Sequence, residues 1–246
     1  MSGQDNIILQ LRNLSLTDIY SNINAIACRG EVISLIGANG IGKSTLLRSI
    51  ASLNKNFSGE IIMNRSTLTD ISYVPSQMGK ATNLSVFDML SLSCYHRSNW
   101  LGIISLEDKE RIFNALELVG LKGYENRDSS KLSDGEYQRA TIAGSLVRDS
   151  QLIILDEPTS FLDIANKYLI TDLIRKIATE SQKTVIFSTH DLQQAVRISD
   201  RIWIMGYDSF YDETPQSHAQ RGNFDKVFDL DGLRFDPVTL SYTISR

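Results

Sequence analysis

The chain has 246 residues, of which 42% are hydrophobic and 22% are charged, and its formal net charge at pH 7 is −4. This length and composition predict one large globular domain and exclude a disordered, collagen-like or coiled-coil chain. The sequence contains no run of 18 apolar residues, which excludes a membrane-spanning helix, and no basic block that would favour a nucleic-acid partner. With only Cys28 and Cys94 as cysteines and a polar start without a signal-peptide pattern, we expect a cytosolic protein.

Short apolar runs alternate with helical patterns along the chain, which predicts an α/β fold with a mostly parallel sheet. The first part is expected to contain an opening strand around Leu9, Leu11 and Leu14, strands at 31–36, 60–63 and 71–74, and a helix at 43–52.

The middle of the chain, from Ser85 to about Gly123, has helical patterns only. Helices are predicted at 86–94 and 107–119, the second beginning after Ser105 and ending at Gly120. This predicts an all-helical subdomain inserted in the α/β core. After it, helices are expected at 135–147, 166–179 and 192–198, strands at 152–155, 184–188 and 202–205, and a loop at 218–222.

A glycine-rich segment, GANGIGKST at 37–45, matches the phosphate-binding pattern G-x-x-x-x-G-K-[ST] between a strand and a helix. Glycines let consecutive N–H groups point at phosphate oxygens, Lys43 supplies a charge for the β- and γ-phosphates, and the Ser44 hydroxyl can ligate Mg²⁺. The alternative is a glycine turn that binds nothing, but the flanking strand and helix argue against it. The predicted ATP-binding residues are Gly37, Ala38, Asn39, Gly40, Ile41, Gly42, Lys43, Ser44 and Thr45.

An acidic pair, Asp156 and Glu157, follows the apolar strand at 152–155. In an open parallel sheet the chemistry gathers at the carboxyl ends of the strands. Asp156 would hold Mg²⁺, directly or through water, and Glu157 would polarise the attacking water. Two charges that merely leave the core would look the same in isolation, and the phosphate loop favours the functional interpretation.

Four further motifs follow in a fixed order: YVPSQ at 73–77, LSDGE at 132–136, SFLD at 160–163 and STHD at 188–191. Together with the phosphate loop and the acidic pair, they closely resemble the nucleotide-binding subunits of ABC transporters, over about residues 8–215. The resemblance implies a P-loop NTPase (ABC ATPase) core with a mostly parallel sheet, an N-terminal antiparallel β part and an inserted helical subdomain. It implies a single ABC ATP-binding domain over 1–246, with the core at about 1–80 and 148–215, the helical subdomain at about 84–147 and a C-terminal tail at about 207–246.

The resemblance also implies a head-to-tail homodimer that binds two ATP molecules with Mg²⁺ and hydrolyses them at the interface. The residues implied to reach ATP across the dimer are Ser133, Gly135, Glu136 and Asp163, with Asp163 coupling the two sites. Within one copy, the implied catalytic residues are Glu157, His190 and Gln77, and the implied metal-site residues are Ser44, Gln77 and Asp156. Gln77 would sense Mg²⁺ and the γ-phosphate, and His190 would hold the γ-phosphate and the attacking water.

The chain departs from the family pattern at two places. The usual signature is LSGGQ, and the Asp134 of LSDGE brings a carboxylate near an anionic nucleotide unless it points outward or caps the helix. Tyr20 is the candidate for stacking on adenine, although its spacing of 17 residues from Gly37 is short. A plain core or loop tyrosine is the alternative for Tyr20.

A narrower resemblance concerns the helical region. The segment YHRSNWLG at 95–102, the acidic pair at 107–108, the residues ALE at 115–117 and the tail segment VFDL at 227–230 look like importers of iron chelates, haem and cobalamin. Trp100 and Leu101 would fill a subdomain core in either case. The implied partners are two membrane permease subunits and, indirectly, a substrate-binding protein, with no nucleic acid, at the cytoplasmic face of the inner membrane. A permease helix is expected in a groove near Met78, Leu84, Val86, Phe87 and Met89, which could equally be ordinary subdomain core.

Other functions remain open at this point. The chain could serve a transporter of another substrate, as importer or exporter, or a non-transport ABC ATPase in DNA repair or on the ribosome. Ser133 follows Gln77 by only 56 positions, which leaves no room for the coiled coil of repair relatives. A regulatory module that binds ATP without turnover is the third possibility, and Glu157 and His190 argue against it.

Overall fold

The computed structural model describes residues 6–64, 71–76, 79–80, 82–95, 104–207, 209–227, 233–236, 239 and 241–244. The strands are β1 (Ile7–Leu16), β2 (Tyr20–Cys28), β3 (Val32–Gly37), β4 (Phe57–Met63), β5 (Ile71–Val74), β6 (Leu152–Leu155), β7 (Thr184–Ser188), β8 (Arg201–Met205), β9 (Phe210–Glu213), β10 (Leu233–Asp236) and β11 (Ser241–Ile244). The helices are α1 (Lys43–Ile50), α2 (Val86–Ser91), α3 (Leu106–Leu118), α4 (Asp134–Val147), α5 (Ile164–Glu180), α6 (Leu192–Ile198) and α7 (Pro215–Arg221). Within the described ranges, none of these helices has the length and hydropathy that crossing a bilayer requires.

The central sheet has six strands in the order β5-β6-β7-β3-β8-β9. All neighbours are parallel except β8 and β9. Every residue of β3, β6 and β7 is buried, as expected for strands covered by helices on both faces. Because Leu155 pairs with Phe187 in a parallel register, the residues that follow β6 lie beside the end of β7. The sheet therefore brings the ends of three buried strands to one edge.

A second sheet, in the order β2-β1-β4, is antiparallel. Its buried face, with Leu9, Leu11 and Leu14, packs in one core with Leu46 of α1 and Trp203 of β8. This core fixes α1, and with it the loop that precedes α1, against the central sheet. Together the two sheets confirm the predicted fold class.

Between β5 and β6, the described residues contain helices and short 3-10 turns, with one isolated bridge between Ser85 and Asp128. The predicted helix start at Ser105 is confirmed, because the Ser105 hydroxyl accepts a hydrogen bond from the Asp108 N–H at 3.0 Å. The predicted single helix at 86–94 is α2 followed by a 3-10 turn at Leu92–Cys94. This region is the inserted helical part of the fold.

The predicted loop at 218–222 is wrong, because residues 215–221 form α7. The Thr214 hydroxyl caps this helix, Pro215 opens it, and Gly222 ends it with φ of 65°. His218 lies on the buried face of this helix and is fully buried. The residues of α7, PQSHAQR, include few apolar side chains, so the cap residues were the main signal for a helix here. No strand was predicted at the positions of β2, β9, β10 and β11.

Candidate nucleotide-binding and catalytic site

The predicted phosphate loop runs from the end of β3 to the start of α1. Gly42 precedes the helix with φ of 113°, a conformation that favours glycine. A Cβ atom at Gly37 would lie 2.7 Å from the carbonyl oxygen of Met205, so this position also requires glycine. The loop is thus built as a tight backbone turn at the N-terminus of a buried helix, where N–H groups can face an anion.

The Lys43 ammonium is held inside the phosphate loop. Its Nζ donates to the carbonyl oxygens of Gly37 at 2.9 Å and Ala38 at 3.0 Å, and the residue is only 6% exposed. Burial lowers the pKa of Lys43, while the charges of Glu157 and Asp156 act in the opposite direction. A buried cation is therefore already in place beside the two carboxylates.

Asp156 is buried at the end of β6 and accepts three hydrogen bonds. Its Oδ1 accepts from Ser44 Oγ at 3.0 Å and from Ser188 Oγ at 2.7 Å, and its Oδ2 accepts from the Tyr73 hydroxyl at 3.1 Å. Burial is the main cause that raises the pKa of Tyr73. The phosphate loop and the ends of β5, β6 and β7 are thereby joined through one carboxylate.

Glu157 has a left-handed backbone, with φ of 47°. Such a conformation costs a non-glycine residue about 1–3 kcal/mol and is found mostly at functional sites. The Glu157 N–H donates to Ser188 Oγ at 2.8 Å, and its carboxylate accepts from Ser160 Oγ at 2.7 Å. These two contacts hold the side chain at the edge of the sheet, where it is partly exposed.

The remaining residues predicted for the same copy are placed as follows. His190 follows β7 and is exposed, and Gln77 lies outside the described residues. The Tyr20 hydroxyl donates to the Gly206 carbonyl at 2.7 Å, and its ring packs on the N-terminal core, which is what a core tyrosine does. Its role at adenine stays a prediction. The neighbouring Ile19 lies against the loop, since a Cβ at Gly42 would be 2.6 Å from Ile19 Cγ2.

The predicted signature, LSDGE, forms the N-terminus of α4. The Ser133 hydroxyl accepts from the Glu136 N–H at 3.3 Å, and the Glu136 carboxylate accepts from the Ser133 N–H at 2.8 Å, which is a capping box. The Ser133 N–H is the main cause that lowers the pKa of Glu136, and the Tyr124 hydroxyl also donates to this carboxylate. Ser133 therefore occupies a fixed position at a helix start.

Gly135 connects the signature to Asp163. A Cβ at Gly135 would lie 2.2 Å from Asn166 Oδ1, so α4 and α5 approach each other closely at this glycine. Asn166 donates to the Asp163 carboxylate through its N–H at 2.8 Å and its Nδ2 at 2.9 Å, and accepts from Arg139 Nη1 at 3.0 Å. The two bonds that Asn166 donates lower the pKa of Asp163. Asn166, which sequence reasoning missed, thus couples two predicted site residues.

A family model described as ABC transporter matches residues 20–160. The chain belongs to the ABC transporter family. It is 33% identical to the petrobactin import ATP-binding protein FpuC of Bacillus anthracis over 220 residues, covering 85% of this chain and 81% of that protein. It is 30% identical to the iron(3+)-hydroxamate import ATP-binding protein FhuC of Bacillus subtilis over 242 residues, covering 92% and 90%. The structure of a metal-chelate type ABC transporter in an inward-facing conformation matches with a TM-score of 0.84 and 27% identity, covering 92% of this chain and 90% of that chain.

These matches confirm the family and the importer branch that the sequence predicted. Because it belongs to this family and is similar to these import ATP-binding proteins, the chain is the ATPase of a transporter. The sequence did not indicate the roles of Tyr73, Ser160 and Ser188, although each stands inside a quoted motif. Ser188 could have been found from the parallel register of β6 and β7, which sets it beside Asp156.

The ABC chain also exposes apolar side chains beside Asp163. Phe161 is 82% exposed with φ of 65°, and Ile164 at the start of α5 is 88% exposed. Tyr168, one turn later, is exposed as well. Large apolar side chains clustered at one edge of a site are typical of an interaction surface.

Proposed function

We propose that this ABC subunit hydrolyses ATP with Mg²⁺ to power the uptake of an iron chelate, haem or cobalamin through separate membrane subunits. The observation that carries the ATPase chemistry is the convergence on Asp156 of Ser44, from the phosphate loop, and Ser188, which also anchors Glu157. The relatives named for petrobactin import and iron(3+)-hydroxamate import support the class of cargo.

ATP would bind with its phosphates in the loop formed by residues 37–45. Lys43 would exchange the carbonyls of Gly37 and Ala38 for the β- and γ-phosphate oxygens, and the N–H groups at the start of α1 would add donors. The exchange is favourable because a doubly charged phosphate is a stronger partner for a buried ammonium than two carbonyls are.

Ser44 and Asp156, with Gln77, would hold Mg²⁺ together with phosphate oxygens. The Ser44 hydroxyl and the Asp156 carboxylate already lie 3.0 Å apart, in a hydrogen bond that would give way to the ion. In the described part of the chain, no group of three or more His, Cys, Asp or Glu side chains could hold a metal ion by itself. This fits an ion that depends on substrate phosphates, where it supplies positive charge to the reacting group.

Glu157 would orient and polarise the water that attacks the γ-phosphate. Its contact with Ser160 and its strained backbone support a fixed direction for the carboxylate, and its partial exposure leaves room for a water. His190, exposed at the end of the neighbouring strand, would hold the γ-phosphate and the same water. Gln77 would complete the γ-phosphate contacts.

A second copy of the chain would complete each ATP site from across a head-to-tail dimer. Ser133 accepts a hydrogen bond at the helix cap, so its own hydroxyl hydrogen can be donated to a phosphate oxygen. Gly135 would contribute its N–H, Glu136 would hold the cap, and Asp163 would couple the two sites through Asn166. The exposed apolar residues Phe161, Ile164 and Tyr168 support an interface here.

The permease would dock in a cleft of about 500 Å³ between the end of α1, β5 and α4, lined by Leu53, Tyr73, Ser93, Thr141 and Gly144 among others. The predicted groove residue Val86 is fully buried, so it belongs to the subdomain core. Met78 lies outside the described residues. Docking would place the chain at the cytoplasmic face of the membrane. Residues 84–147 would form the helical subdomain. A substrate-binding protein would act on the opposite side of the membrane.

The test is the Glu157→Gln variant of the purified chain. We expect it to bind ATP, to accumulate as an ATP-bound dimer and to lose steady-state turnover, whereas Glu110→Gln on the exposed face of α3 keeps full activity. Unchanged turnover in Glu157→Gln would exclude this carboxylate as the catalytic one. For the cargo, the chain reconstituted with its permease should show ATPase activity stimulated by a binding protein loaded with a ferric chelate or a corrinoid. Stimulation only by an unrelated solute would reject the cargo class.

A further inference from the structure

Asp134, the unusual residue of the signature, has a partner in the chain. Its carboxylate pairs with the Lys80 ammonium at 2.8 Å, and the Lys80 Nζ also donates to the carbonyl oxygen of Leu132 at 2.7 Å. Lys80 therefore contacts the signature on both sides of Ser133. The Lys80 side chain is 31% exposed and the Asp134 side chain is 76% exposed.

A second contact ties the same segment to α4. The Tyr137 hydroxyl donates to the Gly79 carbonyl at 3.2 Å, and the Lys80 Nζ lies 5.9 Å from the centre of the Tyr137 ring. Lys80, Asp134, Tyr137 and Glu157 line one cleft of about 450 Å³. Gly79 and Lys80, two and three residues after the predicted Gln77, are thus fastened to the helix start that bears Ser133.

The charge of Asp134 makes this pairing important. A lone carboxylate at the N-terminus of α4 would repel the γ-phosphate that Ser133 and Gly135 must approach. In the isolated chain the ion pair is exposed and contributes little to stability. Once a dimer closes on ATP and water is excluded, the same charges interact much more strongly.

We propose that Lys80 is a positioning residue for the ATP site of the opposite copy: it neutralises Asp134, so that the LSDGE signature can approach the γ-phosphate. This inference rests on the proposed dimeric ATPase. A sequence with LSGGQ has no carboxylate to neutralise, so the need for the lysine should depend on Asp134.

The experiment combines Lys80→Met with Asp134→Gly. With Asp134 present, we expect Lys80→Met to raise the KM for ATP about tenfold. The reason is that the Asp134 carboxylate, no longer neutralised, would repel the γ-phosphate when the dimer closes. With Asp134→Gly, the same substitution should change KM less than twofold, and Lys80→Arg should keep the original KM. An equal effect of Lys80→Met in both backgrounds, or no effect beside Asp134, would overturn the proposal.

Mixed dimers show which ATP site Lys80 serves. When Lys80→Met and Lys43→Ala are in the same copy, the one intact phosphate loop faces the altered signature, and we expect the raised KM. When they are in different copies, the intact loop faces an unaltered signature, and we expect the original KM. The reverse pattern would overturn the assignment to the opposite copy. ATP-dependent dimerisation of the unsubstituted chain is measured before any variant. If the unsubstituted chain forms no such dimer, the proposed function itself is rejected.

Discussion

Replacing Ser188 by alanine tests whether the acidic pair at the end of β6 is held in place through β7. The Ser188 hydroxyl is fully buried, donates to Asp156 Oδ1 at 2.7 Å and accepts from the Glu157 N–H at 2.8 Å. Alanine removes both bonds, so a buried carboxylate oxygen and a backbone N–H each lose a partner.

The size of the effect follows from these two bonds. A buried group that loses its partner costs about 1–3 kcal/mol, and bonds to a charged acceptor lie at the upper end. Asp156 keeps Ser44 and Tyr73, so we expect Ser188→Ala to lower the free energy of unfolding by about 2–4 kcal/mol. Because Glu157 also loses the anchor of its left-handed backbone, we expect ATP turnover to fall by about tenfold or more, equivalent to about 1.4 kcal/mol of barrier.

The assay is urea unfolding followed by tryptophan fluorescence, with steady-state ATPase activity measured on the same samples. Ser34→Ala is the matched control, because Ser34 is fully buried in the adjacent strand β3 and its hydroxyl has no hydrogen-bond partner among the described residues. We expect Ser34→Ala to leave stability unchanged or slightly raised. Equal free energies of unfolding for the two variants would refute the role given to Ser188.

Three further predictions concern other parts of the chain. Gly135→Ala should reduce ATPase activity more than tenfold without changing ATP affinity measured by calorimetry, because its Cβ would meet Asn166 at 2.2 Å and displace the signature. Lys43→Ala should abolish ATP binding in calorimetry, because the buried charge for the phosphates is lost. His218 is buried, and burial is the main cause that lowers its pKa below the usual 6.5, so the unfolded chain takes up a proton that the folded chain resists. The free energy of unfolding should therefore fall as pH drops through about 6.5, by up to about 1.4 kcal/mol per pH unit, and His218→Gln should remove this dependence.

Each of these predictions has an outcome that contradicts it. ATPase activity of Gly135→Ala within twofold of the unsubstituted chain would mean that the close contact with Asn166 does not position the signature. Unchanged ATP affinity in Lys43→Ala would contradict its phosphate role. A pH dependence that persists in His218→Gln would show that another group titrates. The Asn223 amide nitrogen donates to His218 Nδ1 at 3.2 Å, so protonation of Nδ1 would break this bond.

Strong local patterns made most of the fold predictable. β5, β6 and α6 have the predicted bounds. The pattern of a short buried strand or of a capped helix is formed by residues that are neighbours in the sequence. α7 was missed because its residues, PQSHAQR, include few apolar side chains, and its buried His218 contacts the Ile202 carbonyl of β8, which is distant in sequence. The pairing of β1 with β4 likewise depends on residues that are distant in sequence, such as Leu9 and Met63.

The functional site likewise contains residues that the sequence could predict and residues that it could not. The phosphate loop and the acidic pair were predictable because their chemistry needs fixed residue types at fixed spacing. Ser188 lies 32 residues from Asp156, and Lys80 lies 54 residues from Asp134, so only the register of the sheet and the packing of α4 bring them together. Such contacts are set by tertiary structure, which local spacing does not encode.

The central claim is that each ATP is held by the phosphate loop of one copy and the signature of the other. Complementation between two inactive variants, Lys43→Ala and Ser133→Ala, tests it most directly. In a mixed dimer, the wild-type loop of the Ser133→Ala copy faces the wild-type signature of the Lys43→Ala copy. The account predicts that an equal mixture regains about a quarter of the wild-type ATPase activity, from half the dimers with one competent site each. No recovery, in a mixture shown to form mixed dimers, would contradict it.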